Sequence, residues 1–88
     1  MKRNAVQIHP SDNVATVLCD VAAGASVSWD GEESITARES VPEGHKLALG
    51  EISPGEVVRK YGHPIGTADR AIAAGEHVHT HNLARAED

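Results

Sequence analysis

The sequence predicts a small, mostly β domain with one short helix, on two observations. Its apolar residues are almost entirely Val, Ile, Leu and Ala, with no Phe, one Trp and one Tyr, and such side chains suit a thin core between strands. In addition, a unit of the form apolar, two residues, Gly, two residues, apolar occurs four times. The four units are Val21-Gly24-Val27, Val41-Gly44-Leu47, Ile52-Gly55-Val58 and Ile72-Gly75-Val78.

Each of these units is typical of a turn that leads into a strand. Glycine supplies a positive φ at the turn, and Pro42 and Pro54 restrict the backbone in two of the units. The four glycines are separated by 20, 11 and 20 residues, which is a symmetric layout. Repetition of a turn followed by a strand predicts a compact β fold with several chain reversals.

The single helix is expected over about residues 12–23. Asp12 is a good N-cap residue, and Gly24 is a typical residue after a helix end. Between them, apolar residues recur at the helical spacing i, i+3, i+4 and i+7; they are Val14, Val17, Leu18 and Val21. This apolar stripe is expected to pack on the sheet.

The remaining elements are strands, turns and a tail within one domain that covers residues 1–88. Val6 and Ile8 indicate a first strand, and Asp30-Gly31 suits the turn of a hairpin over about residues 26–39. That hairpin is expected to project from the body. Further strands are expected at residues 46–49, 56–61 and 77–81, and residues 83–88 are expected to form a solvated tail.

Composition excludes several classes of function. A formal charge of -5 opposes binding to phosphate backbones, and one Trp with one Tyr cannot form a stacking platform for bases. No apolar stretch is long enough for a membrane span, and no apolar segment follows Met1-Lys2-Arg3, so we expect a cytoplasmic protein. Cys19 is the only cysteine and is interpreted as an inert free thiol.

The sharpest local feature is the run from Glu76 to Asn82, in which three imidazoles alternate with other residues. On a strand, side chains at i, i+2 and i+4 point to one face, so His77, His79 and His81 would form a row. Imidazole binds divalent first-row metals well, and a His-x-His pair can place two nitrogens on one ion. The alternative is an exposed edge strand whose histidines only titrate.

Two other clusters contain residues suited to chemistry. Gly44-His45-Lys46 lies at a predicted turn, where it suits proton transfer or a bound carboxylate, although residue type alone favours a solvated turn. The only Tyr lies in Tyr61-Gly62-His63-Pro64-Ile65-Gly66, which predicts a tight loop with a possible ligand contact.

Taken in order, these motifs resemble a known family. Asp12-Asn13-Val14-Ala15, Gly44-His45-Lys46, Tyr61-Gly62, Ile65-Gly66 and the run Gly75 to Asn82 are similar to the N-terminal domain, or separate small subunit, of altronate and galactarate dehydratases. The resemblance extends from about Val6 to Leu83, and the small subunit of sulfolactate sulfo-lyase is similar too. It implies a β-clip fold of the SAF type.

The resemblance also implies an activity: a metal-dependent lyase that removes water from a sugar acid such as altronate. The metal is expected to be divalent, typically iron(II). On this interpretation the chain is a small subunit that completes the active site of a large dehydratase subunit, and it is inactive alone. A homo-oligomer formed through open strand edges is also expected.

The resemblance and the local chemistry together suggest roles for seven residues. His79 and His81, with His77 as a third candidate, would bind the metal. His45 and Lys46 would transfer a proton or hold the substrate carboxylate. The residues that would orient sugar hydroxyls are Tyr61 and Asn82.

Three other functions remain open from the sequence. SAF-type domains also serve as non-catalytic modules that bind carbohydrates or sugar acids, and such a module would bind without a metal. The small subunit of a sulfolactate sulfo-lyase would release sulfite in place of water. A small metal-storage or delivery protein would use the histidine row alone and would leave Gly44-His45-Lys46 unexplained.

Overall fold

Nine short β-strands and the turns between them make up the described chain. The computed structural model describes residues 3–85. The strands are β1 Ala5–Val6, β2 Val14–Val17, β3 Ser26–Ser28, β4 Ser34–Thr36, β5 Lys46–Ala48, β6 Val57–Lys60, β7 His63–Ala68, β8 His77–Val78 and β9 Leu83–Arg85. No helix among these residues is long and apolar enough to cross a bilayer.

The prediction of a mostly β domain is confirmed, but the helix over residues 12–23 is wrong. Its centre is β2, which lies between β1 and β5 in a four-stranded antiparallel sheet of order β1-β2-β5-β8. Val14, Ala15 and Val17 are each 1% exposed, so both faces of this strand are covered. In a strand buried on both faces, apolar and polar residues need not alternate. Here the apolar residues happen to lie at positions that also match the spacing of a helix. Leu18, which a helix would have buried, is 53% exposed.

The hairpin expected over residues 26–39 contains β3 and β4, paired with Val27 opposite Ile35. It does not project from the body as expected. Val27 is fully buried in a core cluster against which Trp29 and Ile35 pack. Asn4 also ties the hairpin to the first strand, because its side-chain oxygen accepts a hydrogen bond from the Ser28 N–H. A two-stranded hairpin by itself is only marginally stable in water. Its apolar face therefore packs inward against the rest of the domain.

The tail predicted at residues 83–88 is also partly wrong. Leu83–Arg85 form β9, which pairs with β7 in a three-stranded sheet of order β6-β7-β9, with Leu83 opposite Ala68. Leu83 packs against the second core cluster, and this burial explains why the segment is ordered as a strand. Residues 86–88 lie outside the described residues.

The repeated turn-and-strand units form two similar halves. Val21 pairs with Val41, and Ile52 pairs with Ile72, each through an isolated antiparallel bridge. The two bridges are 31 residues apart in sequence. Other backbone hydrogen bonds repeat with the same offset of 31 residues. The bond from Gly24 N–H to Ala37 O corresponds to that from Gly55 N–H to Ala68 O. The bond from Gly44 N–H to Val17 O corresponds to that from Gly75 N–H to Ala48 O.

The core consists of two clusters, most of whose residues are related by the same offset of 31 positions in sequence. The first contains Ala5, Ala15, Val17, Val21, Val27, Ala37, Val41 and Leu47. The second contains Val14, Ala48, Ile52, Val58, Ala68, Ile72 and Val78. Strands β2 and β5 contribute one face to each cluster, so this central pair joins the two cores.

Candidate functional site

Pairing of β5 with β8 brings two separate histidine motifs together. Leu47 lies opposite His77 and Lys46 lies opposite Val78. His45 directly precedes β5 and His79 directly follows β8, so both lie at the same end of this strand pair. The His45 backbone is fixed on both sides, because its N–H donates to Pro42 O and its carbonyl accepts from the Val17 N–H. The result is a histidine cluster, which we define as His45, His77, His79 and His81.

The rings of the histidine cluster are in direct contact. His45 Nδ1 lies 2.9 Å from His77 Nε2, a hydrogen-bond distance. The ring centroids of His45 and His79 are 4.6 Å apart, and the rings are stacked. The His77 ring lies 5.4 Å from that of His79 and 5.6 Å from that of His81. Four imidazoles therefore share one small patch of surface.

Two members of the cluster, His77 and His79, lie in environments that favour neutral imidazole. Burial lowers the pKa of His77, the positive charge that His45, His79 and His81 can carry lowers it further, and Glu39 acts in the opposite sense. Desolvation also lowers the pKa of His79, with His45, Lys46 and His81 adding to the effect. Because metals bind the neutral form of imidazole, the lowered pKa values of His77 and His79 favour the form of these two side chains that binds a metal.

A turn, and not a continuous strand, positions the last two histidines. The strand expected over residues 77–81 ends at Val78, and residues 79–82 turn back toward β9. Asn82 is fully buried; its Oδ1 accepts a hydrogen bond from the His79 N–H, and its Nδ2 donates to His77 O. The amide therefore holds the backbone on which two of the imidazoles stand.

Three of the imidazoles lie close enough together to be candidate ligands of one metal ion. One nitrogen from each of His45, His77 and His79 lies within 4.8 Å of the other two. Two nitrogens bound at about 2.1 Å to one tetrahedral ion lie about 3.4 Å apart, so the most widely separated pair needs to close by up to about 1.4 Å. This group of three differs from the predicted ligands His77, His79 and His81. It contains His45 in place of His81, whose ring contacts the His77 side of the cluster.

A shallow pocket of about 260 Å3 lies beside the cluster. It is lined by Lys46, Lys60, Ile65, His79, Thr80 and Leu83. The sequence motifs predicted Lys46 and His79 of this set as site residues but gave no role to Lys60 and Thr80. The signal for Lys60 was weak, because a lysine on a strand is usually a solvated residue, and its nearness to Lys46 depends on how separate sheets pack.

Tyr61 lies outside the histidine cluster, in the turn between β6 and β7. It has a φ of 58°, and its side chain is 51% exposed. Its ring lies under the Lys60 ammonium, with Nζ 4.9 Å from the ring centroid. The role in binding sugar hydroxyls that the sequence suggested for Tyr61 and Asn82 stays a prediction for both.

A buried carboxylate holds this turn. Asp12 is 5% exposed; its Oδ2 accepts hydrogen bonds from the N–H groups of His9 and Tyr61, and its Oδ1 accepts one from Gly62. Burial alone would raise the pKa of Asp12, but these three donors outweigh it and the pKa is lowered. The residue predicted as a helix cap thus caps a turn about 50 residues away.

Fold and site together define a small β domain that presents imidazole and ammonium groups side by side. A family model described as the altronate/galactarate dehydratase SAF domain matches residues 3–86. The chain belongs to this family, as its motifs predicted.

Curated relatives of the chain include long and short proteins. Altronate dehydratase of Escherichia coli (strain K12) is 52% identical over 77 residues, covering 88% of this chain and 15% of the relative. Galactarate dehydratase (L-threo-forming) of the same organism is 43% identical over 72 residues, covering 80% of this chain and 13% of the relative. The chain thus spans less than a fifth of these two dehydratases.

A shorter relative matches over nearly its full length. The (2R)-sulfolactate sulfo-lyase subunit alpha of Chromohalobacter salexigens is 34% identical over 83 residues, which covers 86% of this chain and 88% of that protein. A domain of this kind therefore occurs in relatives both as a small part of a long dehydratase and as a protein named as a subunit.

Proposed function

We propose that this SAF domain supplies a histidine metal site to a hydro-lyase that dehydrates a sugar acid such as altronate. The observation that carries the proposal is the approach of His45, His77 and His79, whose nitrogens lie within 4.8 Å of one another across two strands. Imidazole ligands suit several first-row metals, including the iron(II) that we propose here. The lowered pKa values of His77 and His79 support the same assignment.

The chain's own residues have distinct tasks in this proposal. When bound, the metal would act as a Lewis acid that polarises the substrate's oxygen atoms. Lys46 follows His45 directly and lines the adjacent pocket, where its positive charge would hold the substrate carboxylate or assist proton transfer. Asn82 orients the backbone of His77 and His79, and the imidazole of His81 packs against His77 at the edge of the cluster.

A large dehydratase subunit is the partner that we propose. His79 and Thr80 are exposed and the pocket beside them is shallow, so another surface is needed to exclude water from a reacting acid. The dehydratase relatives are several times longer than the matched region, which supports a site completed by a larger polypeptide. The isolated chain would then have no dehydratase activity.

Metal binding is tested without any activity. The purified chain is titrated with Co2+ and followed by visible absorption, with binding measured in parallel by calorimetry. We expect one ion per chain and a large loss of affinity in His77→Ala or His79→Ala. His63→Ala is the matched control, because His63 is exposed on β7 and outside the cluster. Equal affinity in all variants would exclude a site at the histidine cluster.

The reaction is tested with the larger polypeptide present. We expect the chain, combined with a dehydratase-like large subunit from the same cell and supplied with iron(II), to convert altronate or galactarate into a keto-deoxy acid. His79→Ala should abolish turnover and His63→Ala should not. Turnover by the isolated chain would contradict the proposed dependence on a partner.

A second candidate function is that of a sulfolactate sulfo-lyase subunit. The observation in its favour is the match over 88% of the length of a relative with that name. Release of sulfite from sulfolactate, with no dehydration of altronate or galactarate, would select this alternative. Binding of a sugar acid by the isolated chain, with no effect of metal and no turnover in any combination, would favour a non-catalytic binding module.

A further inference from the structure

The shallow pocket beside the histidine cluster has the features of an anion site. Two of the three lysines in the sequence, Lys46 and Lys60, line it, although the chain as a whole carries a formal charge of -5. They come from β5 and β6, which belong to different sheets. Two ammonium groups thus line one concave region of an acidic protein, and their positive charge attracts small anions to that place.

The Lys60 ammonium is held in place before any ligand binds. Its Nζ lies 4.9 Å from the centroid of the Tyr61 ring, a distance at which the ring face attracts a cation. The Tyr61 backbone is fixed in turn by its hydrogen bond to the buried Asp12 carboxylate. A prepositioned ammonium loses less side-chain entropy when it binds an anion than a mobile one does.

The other lining residues suit the end of a short hydroxy acid. Thr80 is exposed on the turn after β8 and offers a hydroxyl, while Ile65 and Leu83 are half-buried and give an apolar wall. His79 belongs to both the pocket and the histidine cluster. A carboxylate between the two lysines would therefore lie next to the imidazoles.

We propose that Lys60 and Lys46 bind the carboxylate of a hydroxy acid in this pocket and so direct the adjoining carbon atoms toward His79. The inference rests on the proposed function for the identity of the acid, and it adds a substrate-binding residue, Lys60, and a positioning residue, Tyr61. The interaction is charge-assisted hydrogen bonding by two ammonium groups, which does not require a metal.

The test measures binding of galactarate to the metal-free chain. The 15N-labelled protein is titrated in excess chelator, and amide shifts are followed by NMR at constant ionic strength. We expect saturable shifts around Lys60, Thr80 and Lys46, and affinity about tenfold lower in Lys60→Gln. Lys60→Arg, which keeps the charge, should bind within about threefold of the original chain.

Two controls separate a specific site from general charge effects. Arg3→Gln removes the same charge from an exposed residue that interacts electrostatically with Asp30 at the hairpin turn, and it should bind normally. The uncharged polyol galactitol should not bind. Unchanged affinity in Lys60→Gln, equal losses in Lys60→Gln and Arg3→Gln, or galactitol binding as tight as that of galactarate would overturn the proposal.

The positioning role of Tyr61 has its own readout. Tyr61→Leu removes the aromatic face beneath Nζ and should weaken galactarate binding while leaving the charge of Lys60 in place. Normal affinity in Tyr61→Leu would remove Tyr61 from the inference. Every galactarate titration is done in chelator, so the result is independent of metal. Absence of galactarate binding would therefore not contradict the proposed metal site, and absence of Co2+ binding would not contradict the proposed carboxylate site.

Discussion

Single polar residues that are buried in turns position the candidate site. Asp12 and Asn82 are 5% and 0% exposed, and each has its side chain engaged by backbone groups. Asp12 holds the turn that contains Tyr61, and Asn82 holds the turn that contains His79. Both were selected from the sequence, Asp12 as a helix cap, which is wrong, and Asn82 as a substrate ligand, which stays a prediction. Their residue types indicated that each side chain forms hydrogen bonds. Which backbone groups are bonded to them depended on the fold.

Asp12 is expected to make stability depend on pH. Its pKa is lowered in the folded protein, so its stabilising contribution is present above the unfolded carboxyl pKa of about 3.9 and is lost as pH falls through the folded value. Asp12→Asn should cost about 2–4 kcal/mol at pH 7, because an amide NH2 would face backbone donors. Urea denaturation at pH 7 and pH 3 measures this.

The difference between Asp12→Asn and the original chain should narrow at the lower pH. Asp69→Asn is the control, since Asp69 is exposed, and it should change stability by less than about 0.5 kcal/mol. A constant difference between pH 7 and pH 3 would show that the Asp12 charge is not what the three N–H groups stabilise.

Asn82 is expected to influence the proposed metal site without binding the metal. Asn82→Ala frees the His77 carbonyl and the His79 N–H, so the two imidazoles lose their fixed relative position. We expect Co2+ affinity to fall by about 10–100-fold, with a loss of stability of about 1–3 kcal/mol. Calorimetry and denaturation on the same sample separate the two effects, and unchanged Co2+ affinity in a folded Asn82→Ala protein would refute the positioning role.

At the scale of elements, the repeated turns explain both the strand order and the position of the histidines. In each unit the residue after glycine donates its N–H to the carbonyl three residues earlier, as from His45 to Pro42 and from Glu76 to Ala73. Glycine at the third position with a φ of 82° to 88° is typical of a type II turn. The turns at Gly44 and Gly75 directly precede β5 and β8, the two strands whose pairing brings the histidines together.

These glycines should differ in their tolerance of alanine. A Cβ at Gly75 would lie 2.2 Å from Thr36 O, whereas at Gly55 it would meet nothing within 4 Å. Both positions have a positive φ, so Gly55→Ala should cost about 1–2 kcal/mol from backbone strain alone. Gly75→Ala should cost at least about 3 kcal/mol, because a backbone clash adds to that strain. Thermal unfolding of the two variants compares them, and similar losses would mean that the close approach to Thr36 is absent.

At the scale of the whole molecule, two similar halves share a central pair of strands. Strand β2 contributes Val14 to one core cluster and Val17 to the other, and β5 likewise contributes Ala48 and Leu47. Neither cluster keeps its buried surface if the other half unfolds. The chain is therefore expected to unfold in one cooperative step.

A substitution in one half should be detected by a probe in the other. Ile72 is fully buried in the second cluster, and Trp29 packs against the first. Ile72→Val should cost about 1 kcal/mol and lower the Tm by about 4–8 °C, and the fluorescence of Trp29 should report that full shift. Ile8→Val, at a residue 53% exposed, should change the Tm little. A Trp29 transition that does not move with Ile72→Val would show that the halves unfold independently.

The sequence by itself determined the β class, the glycine turns and most residues of the candidate site. These properties depend on local features: a glycine that permits positive φ, small aliphatic side chains, and imidazoles grouped near residue 79. The family followed from the same motifs, because their order along the chain is distinctive.

Only the tertiary structure decided which of these residues meet. Residues 12–23 have the spacing of a helix, but burial on both faces between β1 and β5 makes Val14–Val17 a strand. His45 joins His77 and His79 because β5 pairs with β8, and Lys60 reaches the pocket of Lys46 because separate sheets pack together. Spacing along the chain cannot reveal such contacts, since strand pairing and sheet packing set the distances between residues that are remote in sequence.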